Sequence, residues 1–139
     1  MSVPSATNEQ AFRRLIGEAF SQGNLAAVDE VVSPDFIEHQ RGSASGPQGV
    51  KRLIIMLRSW FPDLTLTIED IAVNGDVVWG RIVARGTHLG VVMGKPPTGL
   101  PIRIDIVDIG RFVDGKMVEH WGVADTLAMM EQIGLVPAR

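Results

Sequence analysis

Two hydrophobic periods divide the chain. Between Phe12 and Phe61 apolar residues recur every three or four positions; between Leu64 and Val123 they alternate with polar ones. The first period is that of a helix buried along one face, the second that of a strand buried on one side. Phe12, Leu15, Ile16, Ala19 and Phe20 form a stripe that predicts a helix over Asn8 to Gln22, capped by Thr7 and stopped by Gly23-Asn24, with Met1 to Ala6 a loose end. Leu25, Val28 and Val32 predict a second, short helix over Leu25 to Val32. Ser33-Pro34-Asp35 breaks that pattern, Phe36 to His39 reads as a short extended piece, and Gln40 to Gly46 is a polar loop. Pro47 suits the first turn of a third helix, Gln48 to Trp60, whose buried stripe is Val50, Leu53, Ile54, Leu57 and Phe61.

After Phe61-Pro62-Asp63 the period becomes two. Leu64, Leu66 and Ile68 alternate with Thr65, Thr67 and Glu69, and Asn74-Gly75-Asp76 turns the chain into a long strand, Val77 to His88. Gly94, Pro96, Pro97 and Gly99 make Leu89 to Leu100 an irregular loop, and Pro101 to Val113 is the next strand. Asp114-Gly115 then predicts a hairpin, because Gly accepts the positive φ of a tight turn. The return strand, Lys116 to Val123, carries Glu119, His120 and Trp121 and delivers Asp125 to a last helix, Thr126 to Ile133, closed by Gly134. Helices first and strands after mean α+β: three N-terminal helices on a strongly curved antiparallel sheet, a short C-terminal helix, and one domain over residues 1–139. A sheet curled around helices makes a cone-shaped barrel, and a small ligand would sit in its mouth.

Composition narrows the partners. A net charge of −3 with scattered Lys and Arg leaves no footprint for nucleic acid. The absence of cysteine removes disulfides, thiolate nucleophiles and cysteine metal sites, and fits a reducing compartment. The N-terminus lacks the basic start and apolar run of a signal peptide, and no apolar stretch is long enough to span a bilayer. The expectation is a cytoplasmic protein with neither membrane nor nucleic-acid partner.

Short motifs add a family. Phe61-Pro62-Asp63-Leu64, Gly86-Thr87-His88-Leu89-Gly90, Gly94 with Pro96-Pro97-Thr98-Gly99, Asp114-Gly115-Lys116, Glu119-His120-Trp121 and Gln132-Ile133-Gly134 follow one another in that order. Over its whole length the chain resembles the SnoaL-like polyketide cyclases and ester cyclases, within the nuclear-transport-factor-2-like cone fold. The resemblance implies a homodimer of cones, each with a hydrophobic pocket and no metal or organic cofactor. It also implies aldol ring closure on a polyketide methyl ester, with an aspartate as acid and base. That aspartate lies two residues after the histidine matched by His120, where this chain has Gly122. A second family histidine, on the preceding strand, is matched by Asp108.

Strand parity selects the candidate groups. Val118, His120 and Gly122 share one face; Ile104, Ile106, Asp108, Gly110 and Phe112 share one face of the neighbouring strand. If Ile104 and Phe112 point into the cone, so does Asp108, and a desolvated carboxylate beside an imidazole suits proton abstraction next to a carbonyl. The plainer reading makes Asp108 a structural acid paired with His120 or an arginine. Asp125 reads as the cap of the last helix. By similarity to the limonene-epoxide hydrolases of the same fold, it also reads as a water-activating acid paired with Arg85. His88 reads either as a substrate-positioning group or as a strand-end histidine bonded to loop backbone, and His39 either as facing the mouth or as an exposed loop residue. Trp60 and Met93 are candidate apolar lining. Trp121, of opposite parity to His120, is expected to pack on a helix or a dimer partner.

No two histidines have the His-x-x-x-His spacing of a helical ligand pair, so no metal site is expected. With no tyrosine, the usual oxyanion hole of steroid isomerases is excluded. The sequence therefore points to a cofactor-independent acid/base enzyme acting on a hydrophobic carbonyl compound. Asp108, His120 and Asp125 would be catalytic; His39, His88, Arg85, Trp60 and Met93 would touch substrate. The alternatives are a non-catalytic dimeric binding protein and epoxide hydration by Asp125.

Overall fold

The computed structural model describes residues 5–139. Helix α1, Ser5–Arg14, runs without interruption into a π-helical turn, Leu15–Phe20. It begins ahead of Thr7, which therefore lies inside the helix and does not cap it; of the expected loose end, Met1 to Pro4 fall outside the described residues. The wider turn closes through the Ser21 N–H, which donates to the carbonyl of Ile16, and it buries Leu15, Ile16 and Ala19 together. Helix α2 is Leu25–Val31; Val32, expected in the helix, has φ −116 and ψ 130 and opens strand β1, Val32–Glu38. Helix α3, Gly46–Trp60, carries Pro47 in its first turn, where a missing N–H costs nothing.

The remaining elements are β2 (Thr65–Asn74), β3 (Val77–Thr87), β4 (Pro101–Val113), β5 (Lys116–Ala124) and α4 (Thr126–Gln132). The sheet order is β1-β5-β4-β3-β2. The expected antiparallel pairing holds from β2 to β5, but β1 joins β5 in parallel, so the sheet is mixed. β1 is an edge strand, and its pairing lapses between Val32 and Ile37, around Pro34, which has no N–H to give a ladder. The β4–β5 turn is tight because Asp114 (φ 53) and Gly115 (φ 77) both take positive φ.

The β4–β5 register slips between Arg111 and Phe112: Gly110 faces His120, yet Phe112 faces Met117. This bulge changes the inner face, because Met117 and not Val118 shares it with His120. Two apolar clusters form beneath the sheet. One gathers Phe12, Leu15, Ile16, Val28, Phe36, Ile54 and Phe112 around the N-terminal helices. The other gathers Phe61, Leu64, Val92, Ile102, Met129 and Ile133 near α4. Arg58 braces the join: its guanidinium donates to the carbonyls of Phe20, Ser21, Leu64 and Pro62. Those carbonyls include otherwise open ends of the first helix.

Candidate functional site

Between the two clusters lies a cavity of about 280 Å³. Its walls are apolar: Phe12, Leu15, Ile16 and Phe20 from the first helix, Leu53, Leu57 and Trp60 from α3, and Ile102, Ile104 and Ile106 from β4. Exposed Arg41, Met56 and Met93 stand at its rim. Arg41 is the single Lys or Arg of the lining. Trp60 and Met93 are both part of this lining.

The polar part of the wall is compact. His120 Nε2 lies 2.8 Å from Asp108 Oδ1, and its Nδ1 lies 2.7 Å from Glu38 Oε1. All three side chains are nearly closed to solvent, at 12%, 13% and 6% exposure. Each comes from a different strand: Asp108 from β4, His120 from β5 and Glu38 from the parallel edge strand, whose register sets Glu38 beside His120. Burial, the largest single influence on the imidazole, disfavours its charged form. Hydrogen bonds to Asp108 and Glu38, and the charges behind them, outweigh burial and raise His120 from 6.5 to about 9. At neutral pH the ring is therefore an imidazolium that donates from both nitrogens. The two carboxylates bind opposite edges of the ring and do not converge on a common point. Among the described residues no group of three or more His, Cys, Asp or Glu side chains could hold a metal ion.

Gly122 sits directly across the ladder from Asp108. A Cβ there would come within 2.6 Å of Asp108 Oδ1, 2.6 Å of Gln40 Oε1 and 2.8 Å of His120 Cε1. The glycine is what lets these side chains close over the strand. Asp108 lines the cavity, and its Oδ2 makes no hydrogen bond to a described residue.

The other sequence candidates go elsewhere. His39 lies on the outer face: its ring stacks on Trp121 at 4.8 Å and its Nε2 is 2.8 Å from Glu119 Oε2. It does not line the cavity, because β1 aims Glu38 inward and its neighbour outward. Hydrogen bonds from His39, first, and Arg111 hold the Glu119 carboxyl below its ordinary range. His88 is fully buried under the loop after β3, where Nδ1 accepts from the Thr98 N–H at 3.3 Å and sits 2.8 Å from Thr98 Oγ1. It secures the loop and is not in the cavity wall. Arg85 is on the outside of β3, opposite Arg103, beside a separate depression of about 460 Å³ that contains neither Asp108 nor His120. Asp125 caps α4, accepting from the Ala128 N–H at 3.1 Å, and is exposed, while its neighbours Ala124 and Thr126 line the cavity. Trp121 is on the outer face, as its parity required, and packs on His39.

Sequence reasoning missed Glu38 and Gln40. The signal for Glu38 was present: buried Phe36 is two residues earlier on the same strand, so alternation sends Glu38 inward. Only the parallel pairing to β5, which no local pattern reveals, brings it to His120.

Comparison with known proteins gives the chain a family. The family model described as SnoaL-like polyketide cyclase matches residues 10–133. The nogalonic acid methyl ester cyclase of Streptomyces nogalater is 28% identical over 121 residues, covering 84% of this chain and 90% of that protein. The aklanonic acid methyl ester cyclase DnrD of Streptomyces peucetius is 27% identical over 136 residues, covering 93% of this chain and 92% of that one. Among solved structures, wild-type IdmH of Streptomyces antibioticus superposes with a TM-score of 0.83 at 35% identity, covering 91% of this chain and 98% of its own.

Proposed function

The chain belongs to the SnoaL-like polyketide cyclase family, and from that premise we propose that it closes a ring on a hydrophobic, polyketide-like carbonyl compound by acid/base catalysis without a cofactor. The supporting observation is one acid–imidazolium–acid cluster set in a mostly apolar cavity. Asp108 is the working group. Its free Oδ2 takes a proton from the carbon next to a substrate carbonyl, leaving an enolate. The enolate carbon bonds to a second carbonyl of the same molecule, and the resulting alkoxide receives the proton back from Asp108. No atom is lost, and the carboxyl returns to its starting state.

His120 does not shuttle protons in this scheme. Held between two carboxylates, it stays charged, fixes Asp108 Oδ1 and offsets part of the negative charge inside a water-poor cavity. Glu38 fixes the ring in turn. The epoxide-hydration alternative finds no support in the geometry, since Asp125 and Arg85 both lie outside the cavity wall.

The test is turnover. Nogalonic and aklanonic acid methyl esters, which the relatives' names supply as probes, should be cyclised, and Asp108→Asn should lower kcat by about 10²–10⁴-fold. Equal rates for Asp108→Asn and the unaltered protein would end this reading. A polyketide ester bound tightly but recovered unchanged would favour the non-catalytic binding alternative.

We also propose a homodimer formed through the outer sheet face. Trp79, Ile109 and Trp121 are register neighbours across β3, β4 and β5, with Val107 and Val123 paired beside them. All but Ile109 are exposed, a contiguous apolar patch of the kind that marks an interface. Val123→Asp should shift the sedimentation coefficient from dimer to monomer; a monomeric unaltered protein would refute the dimer.

A further inference from the structure

The acid/base scheme leaves one charge without a partner. When Asp108 removes a proton, negative charge appears on the substrate oxygen, which in a mostly apolar cavity calls for a hydrogen-bond donor. His120 cannot donate a hydrogen bond to that oxygen, because both of its ring nitrogens already donate to carboxylates. Gln40 is the uncommitted polar group on Asp108's side of the cavity: its side-chain oxygen and Asp108 Oδ1 each lie 2.6 Å from the same point above Gly122. The Gln40 side chain is half-buried, lines the cavity and makes no hydrogen bond to any described residue. Its backbone is fixed where it stands: the Gln40 N–H donates at 2.9 Å to Glu38 Oε1, the same oxygen that receives His120 Nδ1–H. One carboxylate oxygen thus holds both the imidazolium and the start of the loop that carries Gln40.

We propose that the Gln40 side-chain amide is the hydrogen-bond donor to the substrate's developing enolate oxygen, a catalytic role that rests on the acid/base reading of Asp108. The arrangement has three requirements, and each is met by a different residue. Glu38 anchors the loop, Gly122 leaves room for the amide beside the acid, and Asp108 supplies the basic oxygen on the same side of the cavity. An amide held on an anchored loop turns its N–H2 toward the developing charge with little reorganisation, and such groups act mainly on the transition state.

The test uses an enolate mimic, so that it does not depend on the native substrate. A nitro-substituted 2-naphthol presents an ionisable oxygen on an apolar bicycle, and 2-methoxynaphthalene presents the same bicycle without the acidic proton. Binding is followed by fluorescence, and ionisation of the naphthol by its absorption spectrum. The unaltered protein should bind the naphthol as naphtholate, its proton passing to Asp108. Gln40→Leu should weaken naphtholate binding about ten-fold or more and leave 2-methoxynaphthalene binding unchanged. With a cyclisable ester, the same change should lower kcat by about 10²–10³-fold with little change in KM. Gln40→Asn, which keeps an amide, should recover part of both effects. Equal naphtholate affinity in Gln40→Leu and the unaltered protein would overturn the proposal, as would an equal loss of 2-methoxynaphthalene. The two readings fail separately: an Asp108→Asn protein that still cyclises ester sinks the acid/base scheme, whereas normal Asp108 dependence with no Gln40 effect sinks only the donor.

Discussion

The dipeptide Glu-His occurs twice, at 38–39 and at 119–120, and the sheet uses the two copies on opposite faces. Parallel pairing sets Glu38 beside His120, and alternation then puts Glu38 and His120 inside and His39 and Glu119 outside. The two Glu–His contacts are nearly the same length, 2.7 Å inside and 2.8 Å outside. What differs is the surroundings. The inner pair is 6% and 12% exposed and has a second carboxylate at the far ring nitrogen; the outer pair is 22% and 38% exposed and is shared with Arg111. Equal geometry in water is worth little, because solvent screens both charges, whereas the inner pair keeps its field. Chemistry here follows from which face a residue takes, not from which residues are adjacent in sequence.

The contrast should be largest in activity. Asp108→Asn is expected to lower kcat on a polyketide ester by about 10²–10⁴-fold, while Glu119→Gln on the outer face should leave it nearly unchanged. Steady-state kinetics of the two variants would break the comparison if they lost activity equally. Stability should separate the faces next. His120 is raised from 6.5 to about 9 in the folded state, so the fold binds its proton more tightly than the unfolded chain does. That contribution is complete below the unfolded value, declines as pH rises above 6.5 and is lost as pH passes about 9. It amounts to roughly 3 kcal/mol across the window, and urea melts at both ends should show it in the unaltered protein and not in His120→Gln. Sterics give a smaller effect. Gly122→Ala puts a Cβ 2.6 Å from Asp108 Oδ1 and Gln40 Oε1 and should cost about 1–3 kcal/mol in thermal denaturation. His39→Ala should cost at most about 1 kcal/mol, since its pair with Glu119 is exposed. The smallest change belongs to Val91→Ala, exposed on the loop after β3, which should stay within about 0.5 kcal/mol.

These same two faces show what the sequence could and could not reveal. Alternation from Ile104 to Phe112 placed Asp108 inside, and Asp-Gly at 114–115 fixed the hairpin that brings His120 to it; both signals are local. Pro47 and the stripe from Val50 to Leu57 likewise marked α3. Glu38 escaped because its partner is 82 residues away on a strand that pairs in parallel. Val118 was assigned to the wrong face because the bulge inserts a residue between Met117 and His120, and a period of two cannot foresee an insertion. Arg85 was considered for the site by likeness to another enzyme, although its parity with Trp79 and Arg81 along β3 already put it outside. The π-helical turn that gives Leu15, Ile16 and Phe20 to the cavity left no mark in the apolar stripe, which reads the same for either winding.

The most direct measurement is an NMR titration of the His120 ring protons in the unaltered protein and in Glu38→Gln. The inner cluster predicts that the ring stays charged through neutral pH, titrates near 9, and falls toward its ordinary value when Glu38 loses its charge. A His120 midpoint at or below 6.5 in the unaltered protein, indifferent to Glu38, would contradict the account.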